Sequence, residues 1–139
     1  FAAHRIHFQS DLDDSVLVMA ESGPLHQVFL NLLVNSIHAI DVAQKLGRTE
    51  GHFVKIQQRT EGEFVRVTVS DSGSGISAAN LKQLFKPFFT TKDIGKGTGL
   101  GLATTYRIIE AWKGNINVES IEGQGTSFHL LMRKCDSVL

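Results

Sequence analysis

A chain of 139 residues with 42% hydrophobic side chains is long enough for one domain, burying roughly two-thirds of the surface its unfolded form exposes. Fourteen basic and fourteen acidic side chains cancel to a formal net charge of zero, which excludes the one-sided field of a nucleic-acid or anionic-membrane binder. Cys135 is the single cysteine, so an internal disulfide and a cysteine-built zinc site are excluded, and no apolar run reaches the ~18 residues of a membrane span.

Residues 5–9 and 15–20 read as two short strands joined by a polar turn, Ser10-Asp11-Leu12-Asp13-Asp14. Val16, Val18 and Ala20 alternate with Leu17 and Met19, so the second strand is expected to be covered on both faces. Ser22-Gly23-Pro24 then opens a long helix, with proline in the first turn where no N–H partner is needed. Its apolar face is Leu25, Val28, Phe29, Leu32, Leu33, Ile37 and Ile40. Beside that face run Gln27, Asn31, Asn35 and His38, within about 80° of one another at 3.6 residues per turn. Asparagine is a poor helix former because its amide competes for backbone hydrogen bonds. A solvated stripe would usually bring Lys and Glu instead. The pattern predicts amide oxygens and an imidazole facing a ligand, and an amide oxygen suits an octahedral Mg²⁺ shell otherwise made of phosphate oxygens and water.

Residues 41–51 read as a polar loop punctuated by glycine, and residues 52–60 and 64–70 as an antiparallel hairpin turning at Glu61-Gly62-Glu63. Val65, Val67 and Val69 alternate with Arg66, Thr68 and Ser70, giving a core face and a wetter face. Asp71-Ser72-Gly73-Ser74-Gly75-Ile76 follows. These are the residue types of an ordinary strand-ending turn. A carboxylate fixed at a strand end could also accept a hydrogen bond from a purine amino group, with the glycines leaving room for the ring. Ser77 is placed to cap a short helix over residues 77–84.

Leu84-Phe85-Lys86-Pro87-Phe88-Phe89-Thr90-Thr91-Lys92 has aromatic anchors followed by hydroxyls and a cation. It reads as one end of a hinged lid over residues 88–98, with the glycines of 95–101 at the other end, expected to be mobile without a ligand. In Gly95-Lys96-Gly97-Thr98-Gly99-Leu100-Gly101-Leu102-Ala103, glycine at every second position lets a ligand approach the backbone. The run leads into a helix marked by Leu102, Ala103, Tyr106, Ile109 and Trp112. Unpaired N–H groups and the positive dipole end at such a junction suit a polyphosphate. It is not a P-loop, because the Lys-Ser/Thr after the last glycine is missing. Lys92 and Lys96 are candidate partners for terminal phosphates. Lys113-Gly114 predicts a helix C-cap, and residues 115–120 and 126–133 form a second hairpin about Ile121-Glu122-Gly123-Gln124-Gly125.

Five of these segments, in this order across nearly the whole chain, resemble the ATP-binding catalytic domain of sensor histidine kinases, in the superfamily of type II topoisomerase, MutL and heat-shock chaperone ATPases. Asn31-Leu32-Leu33-Val34-Asn35-Ser36-Ile37-His38-Ala39 is similar to the family's asparagine box. Asp71 to Ile76 is similar to its first glycine box, and Pro87-Phe88-Phe89-Thr90-Thr91-Lys92 to its phenylalanine box in the nitrogen-regulator-like branch. Gly97-Thr98-Gly99-Leu100-Gly101-Leu102 and Gly123-Gln124-Gly125-Thr126-Ser127-Phe128 are similar to the remaining glycine boxes. The resemblance implies an α+β fold, a two-layer sandwich of the Bergerat type, with a mixed, mostly antiparallel sheet against three helices and a lid over ATP. It assigns Asn35 to Mg²⁺ and Asn31 to the phosphates. Asp71 would read the adenine amino group, helped by Thr126 through water. Gly73 and Gly75 would shape the base pocket, Gly97, Gly99 and Gly101 would wrap the triphosphate, and Ile76, Thr98, Leu100 and Leu102 would add further ATP contacts. His38, Phe88, Thr91, Lys92 and Lys96 are further contacts that it implies.

Hydrolysing members of that superfamily carry a glutamate as general base one turn before the magnesium asparagine. Asn31 stands there and cannot take a proton, so the implied reaction is phosphoryl transfer, catalysed by positioning and charge neutralisation. None of His4, His7, His26, His38, His52 and His129 has the sequence context of the family's phosphate-accepting histidine. The chain, which starts at Phe1, therefore reads as the catalytic piece of a longer cytoplasmic or membrane-anchored dimeric kinase. Its partner would be the parent's own dimerisation and phosphoacceptor domain, and indirectly a response regulator. The alternatives are an ATPase of the same superfamily, a non-catalytic nucleotide-binding interaction module, or a serine kinase of the anti-sigma-factor type.

Overall fold

Alternation decides the sheet. The computed structural model describes residues 6–12, 18, 20–85 and 101–135, and within them β3 (Phe64–Asp71) and β5 (Gly125–Arg133) bury every second residue. They are the inner strands of a five-stranded sheet completed by β1 (Ile6–Asp11), β2 (His52–Glu61) and β4 (Asn115–Ile121), in the order β1-β2-β3-β5-β4. Every pairing is antiparallel except β1 with β2. Val65, Val67 and Val69 meet Phe128, Leu130 and Met132 across β3–β5, and this apolar face is covered by Val28 and Leu32 of α1 (Ser22–Lys45) and Ile109 of α3 (Gly101–Ala111). Arg66, Thr68, Ser70, Ser127 and His129 face the other way and line a polar groove of about 580 Å³, on the side of the sheet opposite the helices. This is the two-layer α+β sandwich that the five motifs imply. Among the described residues no helix is long and apolar enough to cross a membrane.

The first two predicted strands do not form a hairpin. β1 runs on through Ser10 and Asp11, which were expected to turn, and pairs in parallel with β2 at the sheet edge. Of residues 15–20, Val18 bridges Lys134 just beyond β5 at a different part of the sheet, and residues 13–17 and 19 lie outside the described residues. A parallel partner for β1 requires a crossover, and α1 supplies it.

α1 continues past the predicted loop start at Asp41. Ala43 is still on the buried side, and Asp41 pairs with Lys45 one turn on, at 3.0 Å. The helix ends in a Schellman motif. Gly47 takes φ +104°, its N–H donates to the Gln44 carbonyl, and the Arg48 N–H donates to the Ala43 carbonyl at 3.0 Å. α2 (Ala78–Leu81) is shorter than expected, although Ser77 caps it as predicted, its hydroxyl accepting from the Asn80 N–H at 3.2 Å. Beyond it Leu84 enters the core, and Phe85 stacks on Tyr106 of α3 with ring centroids 5.3 Å apart.

α3 ends in the same motif with its residues displaced by one. Lys113, not Gly114, takes the left-handed conformation at φ 59°, while the Gly114 N–H reaches the Ile109 carbonyl at 3.0 Å. Gly114 is needed for another reason, since a Cβ there would run into the Leu131 carbonyl. The Lys113→Gly variant should therefore be more stable by about 1 kcal/mol, through relief of left-handed strain. Urea unfolding checks this, and an unchanged midpoint would refute it.

Candidate functional site

Asp71 is the last residue of β3, fixed from both sides by pairing with Val54 of β2 and Thr126 of β5. It is 5% exposed. Burial pushes its carboxyl up to about 6, opposed by the Gly73 N–H, the Ser36 hydroxyl and the Thr126 backbone. The Gly73 N–H donates to Oδ1 at 2.8 Å, whereas the Ser36 hydroxyl lies near enough to act electrostatically but short of a well-formed hydrogen bond. Ser36 sits one turn from Leu32 and one from Ile40, in the middle of the helix's apolar face, and is fully buried. A serine on that row was the readable sign of a polar group behind it.

Past Asp71 the chain is tacked down on two sides. Towards α1, Gly73 presses on Ala39 so closely that a Cβ would lie 2.6 Å from the Ala39 carbonyl carbon, and the Ser74 N–H donates to the Ala39 carbonyl at 2.9 Å. Towards the β4–β5 hairpin, the Gly123 N–H donates to the Ser74 carbonyl at 2.7 Å and the Ile76 N–H to Ser120 Oγ at 2.7 Å. Ser120 Oγ also meets the Gly125 carbonyl at 3.0 Å and Thr126 Oγ1 at 2.8 Å. The asparagine helix, the Asp-Gly loop and the last glycine segment, far apart in sequence, thus meet around one buried carboxylate.

The polar stripe of α1 leads to α3. Asn31 Nδ2 donates to the Gly101 carbonyl at 2.9 Å and Thr105 Oγ1 at 3.2 Å, while its Oδ1 accepts from Gln27 at 2.8 Å. Asn35 and His38 follow along the same stripe, half-buried. Ile76 and Leu102 are partly buried against the core. Phe88, Thr91, Lys92, Lys96, Gly97, Thr98, Gly99 and Leu100, with the whole predicted lid, lie outside the described residues.

Residues 20–135 match the family described as histidine kinase-, DNA gyrase B-, and HSP90-like ATPase. The chain belongs to that family. As a domain of this ATPase family it takes ATP, and its relatives narrow the type. It is 38% identical over 129 residues to the signal transduction histidine-protein kinase AtoS of Escherichia coli (strain K12), covering 92% of this chain and 20% of the relative. It is 39% identical to sporulation kinase E of Bacillus subtilis (strain 168), covering 91% and 16% respectively. The nucleotide-free catalytic domain of histidine kinase ThkA superposes with a TM-score of 0.72 at 33% identity, over 92% of this chain and 78% of that one. The domain is therefore of the histidine-kinase catalytic type, and it spans about a fifth of the length of the curated kinases it matches.

In this histidine-kinase-type domain two contributors, Arg48 and His52, had escaped sequence reasoning. Arg48, placed by the Schellman turn, donates from Nη2 to the Ser72 carbonyl at 2.7 Å and the Gly73 carbonyl at 2.5 Å. His52, buried at the start of β2, bridges the Arg48 carbonyl at 2.6 Å and Ser72 Oγ at 3.0 Å. Ser72 Oγ in turn accepts from the Phe53 N–H at 2.8 Å. Nothing in the stretch around Arg48 announces this, because both acceptors of its guanidinium are more than twenty residues away in sequence.

Proposed function

We propose that the domain binds ATP with Mg²⁺ and donates the γ-phosphoryl group to a histidine on a separate dimerisation and phosphoacceptor domain of its parent, in two-component signalling. The carrying observation is Asn31. It occupies the position of a hydrolytic base, yet it is a neutral amide whose nitrogen is committed to Gly101 and Thr105 and whose oxygen accepts from Gln27. Such a group holds α3 against α1 and takes no proton, which favours transfer over hydrolysis.

In this reading Asp71 accepts from the adenine amino group, Thr126 assists through water, and Gly73, Gly75 and Ile76 bound the base. Asn35 fits a divalent cation, since one neutral amide oxygen leaves the other positions of an octahedral shell to phosphate and water. That ion, when bound, would neutralise charge on the phosphates. Asn31, His38, Phe88, Thr91, Lys92, Lys96, Gly97, Thr98, Gly99, Leu100, Gly101 and Leu102 would attend the nucleotide's triphosphate side. The parent would be a homodimer with this domain in the cytoplasm, addressing a response regulator through the phosphorylated histidine.

The test is calorimetric titration of ATP with and without Mg²⁺, on the wild type and Asn35→Ala, followed by transfer from γ-labelled ATP to an isolated phosphoacceptor domain. Expected are Mg²⁺-dependent binding that Asn35→Ala loses, and an acid-labile phosphoryl group on the acceptor. Steady ATP turnover by the domain alone would favour the ATPase instead.

A further inference from the structure

We infer that Arg48 is a positioning residue for adenine recognition, setting the preference for a 6-amino purine over a 6-oxo purine by fixing the peptide that orients Asp71. This rests on the proposed reading of Asp71 as the acceptor for adenine. A peptide unit points its carbonyl and its N–H in opposite directions. Arg48 holds two consecutive units by their carbonyls, those of Ser72 and Gly73. The opposite ends of the same two units are the Gly73 N–H, which holds Asp71 Oδ1 at 2.8 Å, and the Ser74 N–H, which holds the Ala39 carbonyl at 2.9 Å. One guanidinium therefore dictates which way both N–H groups face.

The consequence for the carboxylate is geometric. With Oδ1 held by the Gly73 N–H, the rotamer of the carboxylate is set, and with it the direction in which the group can meet an exocyclic amino group. If the Ser72–Gly73 peptide turned, Oδ1 would lose its donor and the carboxylate its fixed rotamer. The clamp is itself braced: the Gly47 turn sets the start of Arg48, and His52 holds its carbonyl. The Arg48 residue is exposed overall while its two acceptors belong to buried residues, so it grips the loop from outside the base pocket. Charge-assisted bonds of this kind outweigh neutral ones.

The experiment is competitive titration of ATP and inosine triphosphate on the domain and its Arg48→Met variant, which keeps the side-chain stem and removes the donors. Inosine triphosphate has the same phosphates and a carbonyl in place of the amino group, so it reports triphosphate binding without the Asp71 contact. The expected result is that Arg48→Met weakens ATP about tenfold while inosine triphosphate changes less than about twofold, so that the ratio of affinities collapses. A merely structural role would weaken both nucleotides together; an unchanged ratio overturns the inference, whatever happens to the melting temperature. Arg48→Gln, too short to span to both carbonyls, repeats the measurement should the first variant fold poorly. A wild type that does not prefer ATP over inosine triphosphate would sink the reading of Asp71, and this inference with it.

Discussion

Replacing Asp71 by asparagine should make the domain more stable and unable to hold ATP. The folded carboxyl titrates at about 6 against an ordinary value of 3.8, because burial penalises its charged form. Between those two values the folded protein holds a proton that the unfolded chain has released, so stability falls as pH rises through that window and stays reduced above it. The full penalty is on the order of 3 kcal/mol at neutral pH. The Asp71→Asn side chain is neutral throughout and keeps an oxygen for the Gly73 N–H, so it escapes the penalty. Thermal melts at pH 7.5 should show the variant several degrees higher, with the gap closing below about pH 4. With its oxygen turned to Gly73, the amide would present its NH₂ to the adenine amino group, donor against donor. Calorimetry should find ATP affinity lost. Equal melting temperatures at pH 7.5, or ATP binding retained, would refute this account.

The Gly75→Ala variant should lose roughly 3–5 kcal/mol, combining left-handed strain with overpacking. Gly75 has φ +72°, and a Cβ there would run into the Ile121 carbonyl and lie 2.8 Å from Glu122 Cα. These are backbone atoms of a tight hairpin, so no side chain can swing aside. The flanking bonds from Ser74 to Ala39 and Gly123, and from Ile76 to Ser120, leave the loop no slack. Gly123→Ala is the control: its φ is +84°, but nothing lies within 4 Å of an added Cβ, so only the strain of about 1 kcal/mol applies. Denaturant unfolding of the pair separates crowding from strain, and equal losses would contradict the packing argument.

What could be read in advance was local in period. β3 announced itself through Val65, Val67 and Val69, α1 through its apolar row, and the Asp71 turn through its residue types. The end of α1 was misread because Asp41-Val42-Ala43-Gln44-Lys45 looks polar, although Ala43 still faces inward. The C-cap at Lys113-Gly114 was found, but the glycine answers to the Leu131 carbonyl and the lysine to the left-handed turn. β1 was given the wrong neighbour since nothing in a six-residue strand states which partner lies across a crossover. Arg48 was invisible for the same reason. Its meaning is in two carbonyls contributed by a loop on the far side of a hairpin.

α1 touches the site at Asn31, next to the start of α3, and at Ser36 and Ala39, beneath Asp71 and Gly73. Eight residues of straight helix separate Asn31 from Ala39, about 12 Å. The end that would address phosphate and the end that would address the base are therefore marked off on one rigid rod. The helix works as a ruler: a one-residue insertion between those marks would rotate one set of contacts by about 100° and slide it about 1.5 Å against the other, and would turn Ile40 and Ala43 out of line with Val28 and Leu32 as well.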